Sequence, residues 1–532
     1  MASVTAAAFS PILGPSDKER KYDRQLRLWA ASGQAALEHA NVLLVNSGSG
    51  VVGVEALKNL VLPGIGSFTI YDEALVTDND LGCNFFLDET VLGQSRAECC
   101  TNYLLELNPG VNGDYSPKAQ SNADLRGLLD STDTFTIILY ALPLKAEYAG
   151  LIEQYAQTHS APLVAAHAVG FYSYFSLRLS GIFPIVDTHP DEDVSADLRL
   201  LHPWPELSTF ACQAVGDIDN LDDFDHGHLP LIVILLHYLS IWRSTHADAY
   251  PSTYRDKIAF RAMIYAAMRR NNAEGGEENF EEAISAVMKS VTPFDIPGPL
   301  KQVFSYCGDT EPRPHSHFWL IAKAVHRFYS NHGQLPLPGN LPDMKAESNV
   351  YVKLQAIYKD KARRDIQEVL ASARSMAGGT EVGQDEVELF CKNARFVRLV
   401  NVVEDRTAIA NQLIEKEIAK YQAAVRLGQE TPQSLFPIYL ALTAAEHVSN
   451  TTADNIMSYI VARVPALAGD ETVMQVAHEI SRVQGGELHN VSAATGGMIA
   501  QEIIKIITTQ YVPVDNTCVF NAVQGCCEVF RL

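Results

Sequence analysis

Positive charge is scarce in this 532-residue chain: 41 Lys and Arg stand against 63 Asp and Glu, a formal net charge of -22. So acidic a surface repels phosphates, which excludes nucleic acid and anionic membranes as partners and leaves a basic protein or plain solubility. Long apolar runs are missing as well. The longest, Leu229 to Trp242, is interrupted by His237 and is too short to span a bilayer. The opening MASVTAAAFSPILGPSDKERK has no basic stretch followed by an apolar core, so no secretory signal is expected. Cysteines number nine, an odd count, and Cys99–Cys100 and Cys526–Cys527 are adjacent rather than spaced as CxxC. Neither a zinc ribbon nor a disulfide framework fits, and reduced thiols in a cytoplasmic and nuclear protein are expected. Catalytic signatures are equally thin: there is no GxxxxGK[ST], no GxSxG and no HExxH. His315-Ser-His317 lacks a Cys or carboxylate at ligand spacing and is expected to be structural; no metal site is expected.

What is present is an ordinary globular composition, 47% hydrophobic and 20% charged, over a length that suits two or three domains. The first part alternates strand and helix. Asn41 to Asn46 (NVLLVN), Ser67 to Tyr71 (SFTIY), Thr134 to Tyr140 (TFTIILY) and Pro162 to Ala166 read as buried parallel strands; VEALKNLVL and Ser95 to Leu107 read as helices. Strand–helix alternation of this kind predicts a doubly wound sheet. Phe171 to Leu179 still alternates as a strand. From Leu229 onward the 3.6-residue period dominates, over Arg261–Arg270, Phe280–Ser290, Phe318–Tyr329, Val352–Ala373 and Ile409–Leu427. The last stretch returns to the first style, with a helix over Ala493–Thr508 and closing strands at Cys518–Asn521 and Glu528–Arg531. The expected layout is one α/β domain built from residues 1–170 and 486–532, with a large, mostly helical domain, 171–485, inserted between them.

Gly48-Ser-Gly50-Val-Val-Gly53 falls between a predicted strand and a predicted helix, where glycines let the backbone approach phosphates at a helix N-terminus. Asp72 ends the next strand, nineteen positions after Gly53, where a ribose-binding acid would stand. By itself this pattern fits an NAD-dependent Rossmann oxidoreductase. It also fits glycines that serve only close helix–strand packing.

Upstream stands Lys21-Tyr-Asp-Arg24-Gln-Leu-Arg-Leu-Trp29. Downstream follow Leu60-Val-Leu-Pro-Gly-Ile-Gly-Ser-Phe-Thr-Ile-Tyr-Asp72 and Gly93-Gln-Ser-Arg-Ala-Glu98. Together these resemble the adenylation fold (ThiF/MoeB-type) of bacterial molybdopterin and thiamin adenylyltransferases and of ubiquitin-like-protein activating enzymes. The resemblance covers about the first 170 residues and Gly496–Thr508. Active members of the family place a second acid two positions after the ribose acid; here it is Ala74. Cys83 stands where the ATP-binding Arg belongs, Arg96 replaces the usual Lys, and Ala141-Leu-Pro143 replaces the metal-holding Asp. Chemistry on ATP depends on positioning and charge neutralisation, so these losses imply a vestigial loop of Gly48, Gly50, Gly53 and Asp72 that binds no cofactor.

The inactive, regulatory subunits of the heterodimeric activating enzymes of the neddylation (Nedd/Rub) type resemble the chain almost end to end. Shared segments include Thr188-His-Pro-Asp191, Asp197-Leu-Arg199, Glu277–Ala283, Phe318-Trp319, Leu341–Met344 and Gln501–Thr508. The resemblance implies a catalytic partner subunit that holds ATP and Mg, adenylates the ubiquitin-like modifier, takes it as a thioester and passes it to a conjugating enzyme. It implies that Arg24 reaches the partner's ATP in trans as an arginine finger. Cys212, Cys307 and Cys391 are expected to be structural, because none has a setting that favours a thiolate. A ubiquitin-fold domain for recruiting the conjugating enzyme is expected to be absent. The apolar, Pro-rich Gly333–Met344 segment suggests a partner contact through Leu335, Leu337 and Leu341. A self-sufficient homodimeric adenylyltransferase and an NAD-dependent oxidoreductase remain as alternatives.

Overall fold

The apolar runs form the centre of one sheet in the computed structural model of the chain, which describes residues 16–119, 124–131, 134–190, 196–270, 276–308, 316–400, 406–427 and 434–532. Strands β1 (Asn41–Val45), β2 (Ser67–Tyr71), β3 (Asn112–Ser116), β4 (Ile137–Ala141) and β5 (Leu163–Val169) are mutually parallel. β6 (Tyr172–Arg178) turns back antiparallel to β5. After β7 (Phe183–Val186) and β8 (Val397–Val400), which pair as a separate two-stranded sheet, the chain adds β9 (Thr517–Asn521) and β10 (Cys526–Phe530). The spatial order is β10-β9-β6-β5-β4-β1-β2-β3. Leu44 sits opposite both Ile70 and Leu139, so β1 is buried on both faces, as its unbroken apolar sequence requires.

The order reverses at β1, whose neighbours are β2 on one side and β4 on the other. Ligands of open α/β sheets bind at such a switch point, outside the carboxyl ends of the strands. Here the segment after β1 carries the glycine loop into a helix. The helices of this part are α1 (Asp17–Lys21), α2 (Asp23–His39), α3 (Val51–Val61), α4 (Asp78–Cys83) and α5 (Arg96–Leu107). α3 is buried nearly all round because the last helix, His489–Thr508, packs along it. That explains why VVGVEALKNLV has little polar face to show.

Two compact units emerge, 1–183 with 400–532 and 184–399. This corrects the expected insert of 171–485 at both ends. β6 belongs to the main sheet, paired with β5 and β9. The helices Phe436–His447, Ala453–Arg463 and Glu471–Val483 share one apolar cluster with Val169, Tyr174, Val519 and Phe530. A helical period alone does not separate these helices from an α/β domain, because their apolar stripes cover the sheet's antiparallel side. The second unit is helical, with a core that runs from Leu198 to Ala362. β3 (NGDYS) was not legible as a strand. It is a polar edge strand set by pairing with β2, not by an apolar pattern of its own.

Candidate functional site

Between β1 and α3 the backbone takes the left-handed turns that the glycine pattern predicts, with φ of 60° at Gly48 and 65° at Gly50. Gly53 serves packing. A Cβ there would lie 2.7 Å from the Leu44 side chain, closer than carbon atoms approach. Asp72, at the end of β2, does reach the loop region, since the Asn46 amide donates to it at 2.9 Å. The structure thus brings Gly48, Gly50, Gly53 and Asp72 into one region.

At the loop, the Asp72 carboxylate and the Gly48 and Ser49 carbonyls are taken by one of the chain's own side chains. Arg96, at the start of α5, donates from Nε to Asp72 Oδ2 at 2.7 Å and from Nη2 to Asp72 Oδ1 at 3.1 Å. Its Nη1 donates to Asp80 Oδ1 at 2.8 Å, to the Gly48 carbonyl at 2.8 Å and to the Ser49 carbonyl at 3.3 Å. The Ala74 N–H also donates to Asp72, at 3.0 Å, so both carboxylate oxygens are engaged and neither is left for a ribose hydroxyl. All three charged side chains are buried. A planar guanidinium meets this many acceptors where an ammonium could not.

The first N–H groups of α3 are filled as well. A helix N-terminus presents unpaired donors and a partial positive charge, which is why such loops hold phosphate. Here Glu487, from the segment before the last helix, accepts from Val51 N–H at 3.2 Å and Val52 N–H at 2.8 Å. The Ser492 hydroxyl donates to the same carboxylate at 2.5 Å. Burial pushes the Glu487 carboxyl up, opposed by the hydrogen bonds from Ser492, Val52 and Val51. Cys83 sits in the same field. Burial pushes its thiol up to about 11, with the Glu487 and Asp80 charges adding to the effect. The nearby Arg96 charge acts the other way on this thiol, favouring the thiolate, but does not outweigh them.

Sequence reasoning named the glycines, Asp72, Cys83 and Arg96 but missed Glu487 and Asp80 as partners. Glu487 lies 436 positions from Val51, so no local pattern joins them. The only signal is a lone acid directly before a helix rich in small residues.

Arg24 is exposed in the first turn of α2 and takes no part in the loop's contacts. Among the described residues it has no hydrogen-bond or ion-pair partner; the surface pair on this turn is Arg27 with Asp23, at 2.9 Å. The leucines of the Pro-rich segment are placed otherwise than expected. Leu335 and Leu337 are 1% exposed, and Leu337 and the half-buried Leu341 pack into the second unit's own core. The segment folds inward because Asp365 accepts the Leu337 N–H at 3.0 Å and Arg199 donates to the Leu335 carbonyl at 2.5 Å.

His317 meets Glu386 at 3.0 Å, while His315 lies outside the described residues. Among the described residues no group of three His, Cys, Asp or Glu could hold a metal, and no helix is long and apolar enough to cross a membrane. Cys307 and Cys391 are buried and Cys212 is exposed. Burial pushes the Cys391 thiol well up, with Asp365 and Glu388 adding to it. A cavity of about 250 Å³ in the second unit is lined by Arg199, Lys361 and His332. Each already faces a carboxylate, Asp197, Asp365 and Glu368 respectively.

The sequence of residues 22–530 matches the model of the ThiF family. The NEDD8-activating enzyme E1 regulatory subunit of Danio rerio is 33% identical over 97% of this chain and 99% of its own length. The Nedd8-activating enzyme E1 regulatory subunit of Drosophila melanogaster is 35% identical over 96% of each. Among solved structures, E. coli MccB with ATP aligns at a TM-score of 0.27 and 17% identity, over 34% of this chain and 55% of that one. That likeness is too slight to carry meaning.

Proposed function

We propose a role from one premise: the chain belongs to the ThiF family and, within it, to the family of NEDD8-activating enzyme E1 regulatory subunits. It is the regulatory, non-catalytic subunit of a heterodimer that activates a ubiquitin-like modifier of the neddylation pathway. The partner subunit holds ATP and Mg, adenylates the modifier's C-terminal glycine, takes it as a thioester and passes it to a conjugating enzyme. This chain supplies the second adenylation-fold half and, from it, Arg24.

The occupied glycine loop is the observation that carries this division of labour. In a nucleotide-binding subunit Asp72 would meet a ribose and the α3 N-terminus a phosphate. Here Arg96 and Glu487 hold both positions. An entering ATP would have to displace a buried guanidinium from two carboxylates, and its phosphates would face the Glu487 charge. Arg24 is the contrasting case, an exposed cation without an anion among the described residues of its own chain. Its planar fork suits the phosphate oxygens of a nucleotide held by another chain.

ATP–pyrophosphate exchange by the reconstituted heterodimer, at saturating modifier, tests the reading. Arg24→Ala is expected to leave the heterodimer assembled and to slow exchange by about tenfold to a thousandfold. Arg24→Lys is expected to rescue poorly, since a point charge cannot replace the fork. Unchanged exchange in Arg24→Ala would remove the finger from the mechanism. Calorimetry on the chain alone is expected to detect neither ATP·Mg nor NAD, and micromolar binding of either would overturn the division of labour.

A further inference from the structure

The helix that carries Arg24 is broken. α2 runs from Asp23 to His39, but Trp29 has φ -126° and ψ 17°, and Ala30 has φ 57° and ψ -176°. The Arg24 turn is therefore a short piece, residues 23–28, cut off from the rest of α2. A helix of one to two turns is marginal on its own, and its last carbonyls lose their intrahelical donors.

Two carbonyls at the break, those of Leu28 and Trp29, are met by residues from the far end of the chain. Gln510 Nε2 donates to the Trp29 carbonyl at 3.0 Å, and the Tyr511 hydroxyl donates to the Leu28 carbonyl at 3.2 Å. Gln510 is 2% exposed and sits just past the last helix, beyond the left-handed turn at Thr509 (φ 54°). Trp29 is itself held. Its indole N–H donates to Gln34 Oε1 at 3.2 Å, and its side chain lies so close to Gly33 that a Cβ there would come within 2.7 Å of the Trp29 Cβ and 2.9 Å of the ring. On the other side of Arg24, Tyr22 is buried and its hydroxyl accepts from Asn108 at 3.0 Å. Arg24 thus sits on an exposed turn whose two ends are fixed by buried contacts.

We propose that Gln510 is a positioning residue for Arg24: its amide caps the broken helix at the Trp29 carbonyl and so holds the exposed turn that presents the guanidinium. The inference rests on the reading of Arg24 given above. An arginine that acts on another chain's nucleotide gains only if its backbone is already in place, because displacement by about 1 Å costs on the order of a hundredfold in rate. The turn's own hydrogen bonds cannot supply that placement, and the last helix, packed against α2 and α3, can. Ala30 points the same way. A non-glycine residue in this region costs on the order of 1–3 kcal/mol and persists only where its surroundings over-determine it.

The test is exchange by the reconstituted heterodimer carrying Arg24→Ala, Gln510→Met or both, with melting temperatures measured in parallel. Met keeps the shape of Gln and removes the donor. Gln510→Met is expected to lower kcat/KM for ATP by about tenfold. The double variant is expected to be no slower than Arg24→Ala alone, because a turn without its arginine has nothing left to position. Losses that multiply in the double variant, or exchange unchanged in Gln510→Met, would overturn the proposal. If Arg24→Ala is slow and Gln510→Met is not, only the positioning role falls. If Arg24→Ala is itself unchanged, the reading of Arg24 falls and the positioning role with it. Should Gln510→Met fail to fold, Tyr511→Phe removes a single hydroxyl from the same cap. It is expected to slow exchange by about threefold, again without effect in the Arg24→Ala background.

Discussion

Arg96 donates to two carboxylates and two carbonyls at once, and only a guanidinium carries enough donors in one plane to do so. Truncating it leaves Asp72 and Asp80 buried without their countercharge. Arg96→Ala is expected to destabilise the first unit by about 3–5 kcal/mol, read by urea unfolding. A loss under about 1 kcal/mol would mean that water replaces the guanidinium and that the loop is not closed in the way described. Glu487 and Asp80, two of the carboxylates around the loop, titrate in opposite senses. Burial lifts Glu487 above its ordinary 4.5, so its contribution is full below about that pH and is lost as pH rises through the folded value. For Asp80 burial acts upward too, but hydrogen bonds from Thr77 and Arg96 and the Arg96 charge outweigh it and leave the carboxyl below its ordinary 3.8. Its contribution is present above that value and lost as pH falls through the folded one. Unfolding measured from about pH 3 to pH 8 should therefore show Glu487→Gln removing a decline on the alkaline side. Asp80→Asn should remove a loss on the acid side. Curves parallel to the parent's would refute both assignments.

At the scale of elements, the break in α2 makes a separate prediction. Ala30 adopts φ 57° with ψ -176°, a region that glycine enters freely and alanine does not. Ala30→Gly is expected to raise stability by about 1 kcal/mol despite glycine's greater unfolded-state entropy, seen as a higher melting temperature. A lower one would show that the turn is not strained. The sequence made β1, β2, β4 and β5 legible because a strand buried on both faces must be apolar throughout. It left β3 illegible because an edge strand needs only a partner. It showed the Lys21–Trp29 motif but not the break within it, since nothing local in Trp29-Ala30 forbids a continuous helix.

At the scale of the molecule, the two units differ in how their borders could be read. The change from strand to helical period after Gly170 marked a boundary that the structure moves to 183, and the return at 486 marked one that it moves to 399. The helices between 436 and 483 are spent on covering the sheet rather than on a domain of their own. The Pro-rich segment tests the second unit's core. Leu337 is fully packed there, so Leu337→Ala is expected to cost about 2–5 kcal/mol and to lower the unit's melting temperature, while heterodimer assembly persists below it. A variant that melts like the parent yet fails to assemble would return this leucine to the partner interface.

The sequence by itself determined the strand–loop–helix around Gly48–Gly53, the adenylation-type fold and the loss of the charges that ATP needs. The first is written in residues close in the chain, where steric and periodic rules act; the other two are what the motifs' resemblance to the family implies. Only the tertiary structure decided what fills the emptied loop and what holds the turn of Arg24. Glu487 meets Val52 across 435 positions, and Gln510 meets Trp29 across 481. Contacts at such separation leave no periodic trace. They exist because the last helix returns the C-terminal segment to α2 and α3, where unpaired backbone groups must find partners.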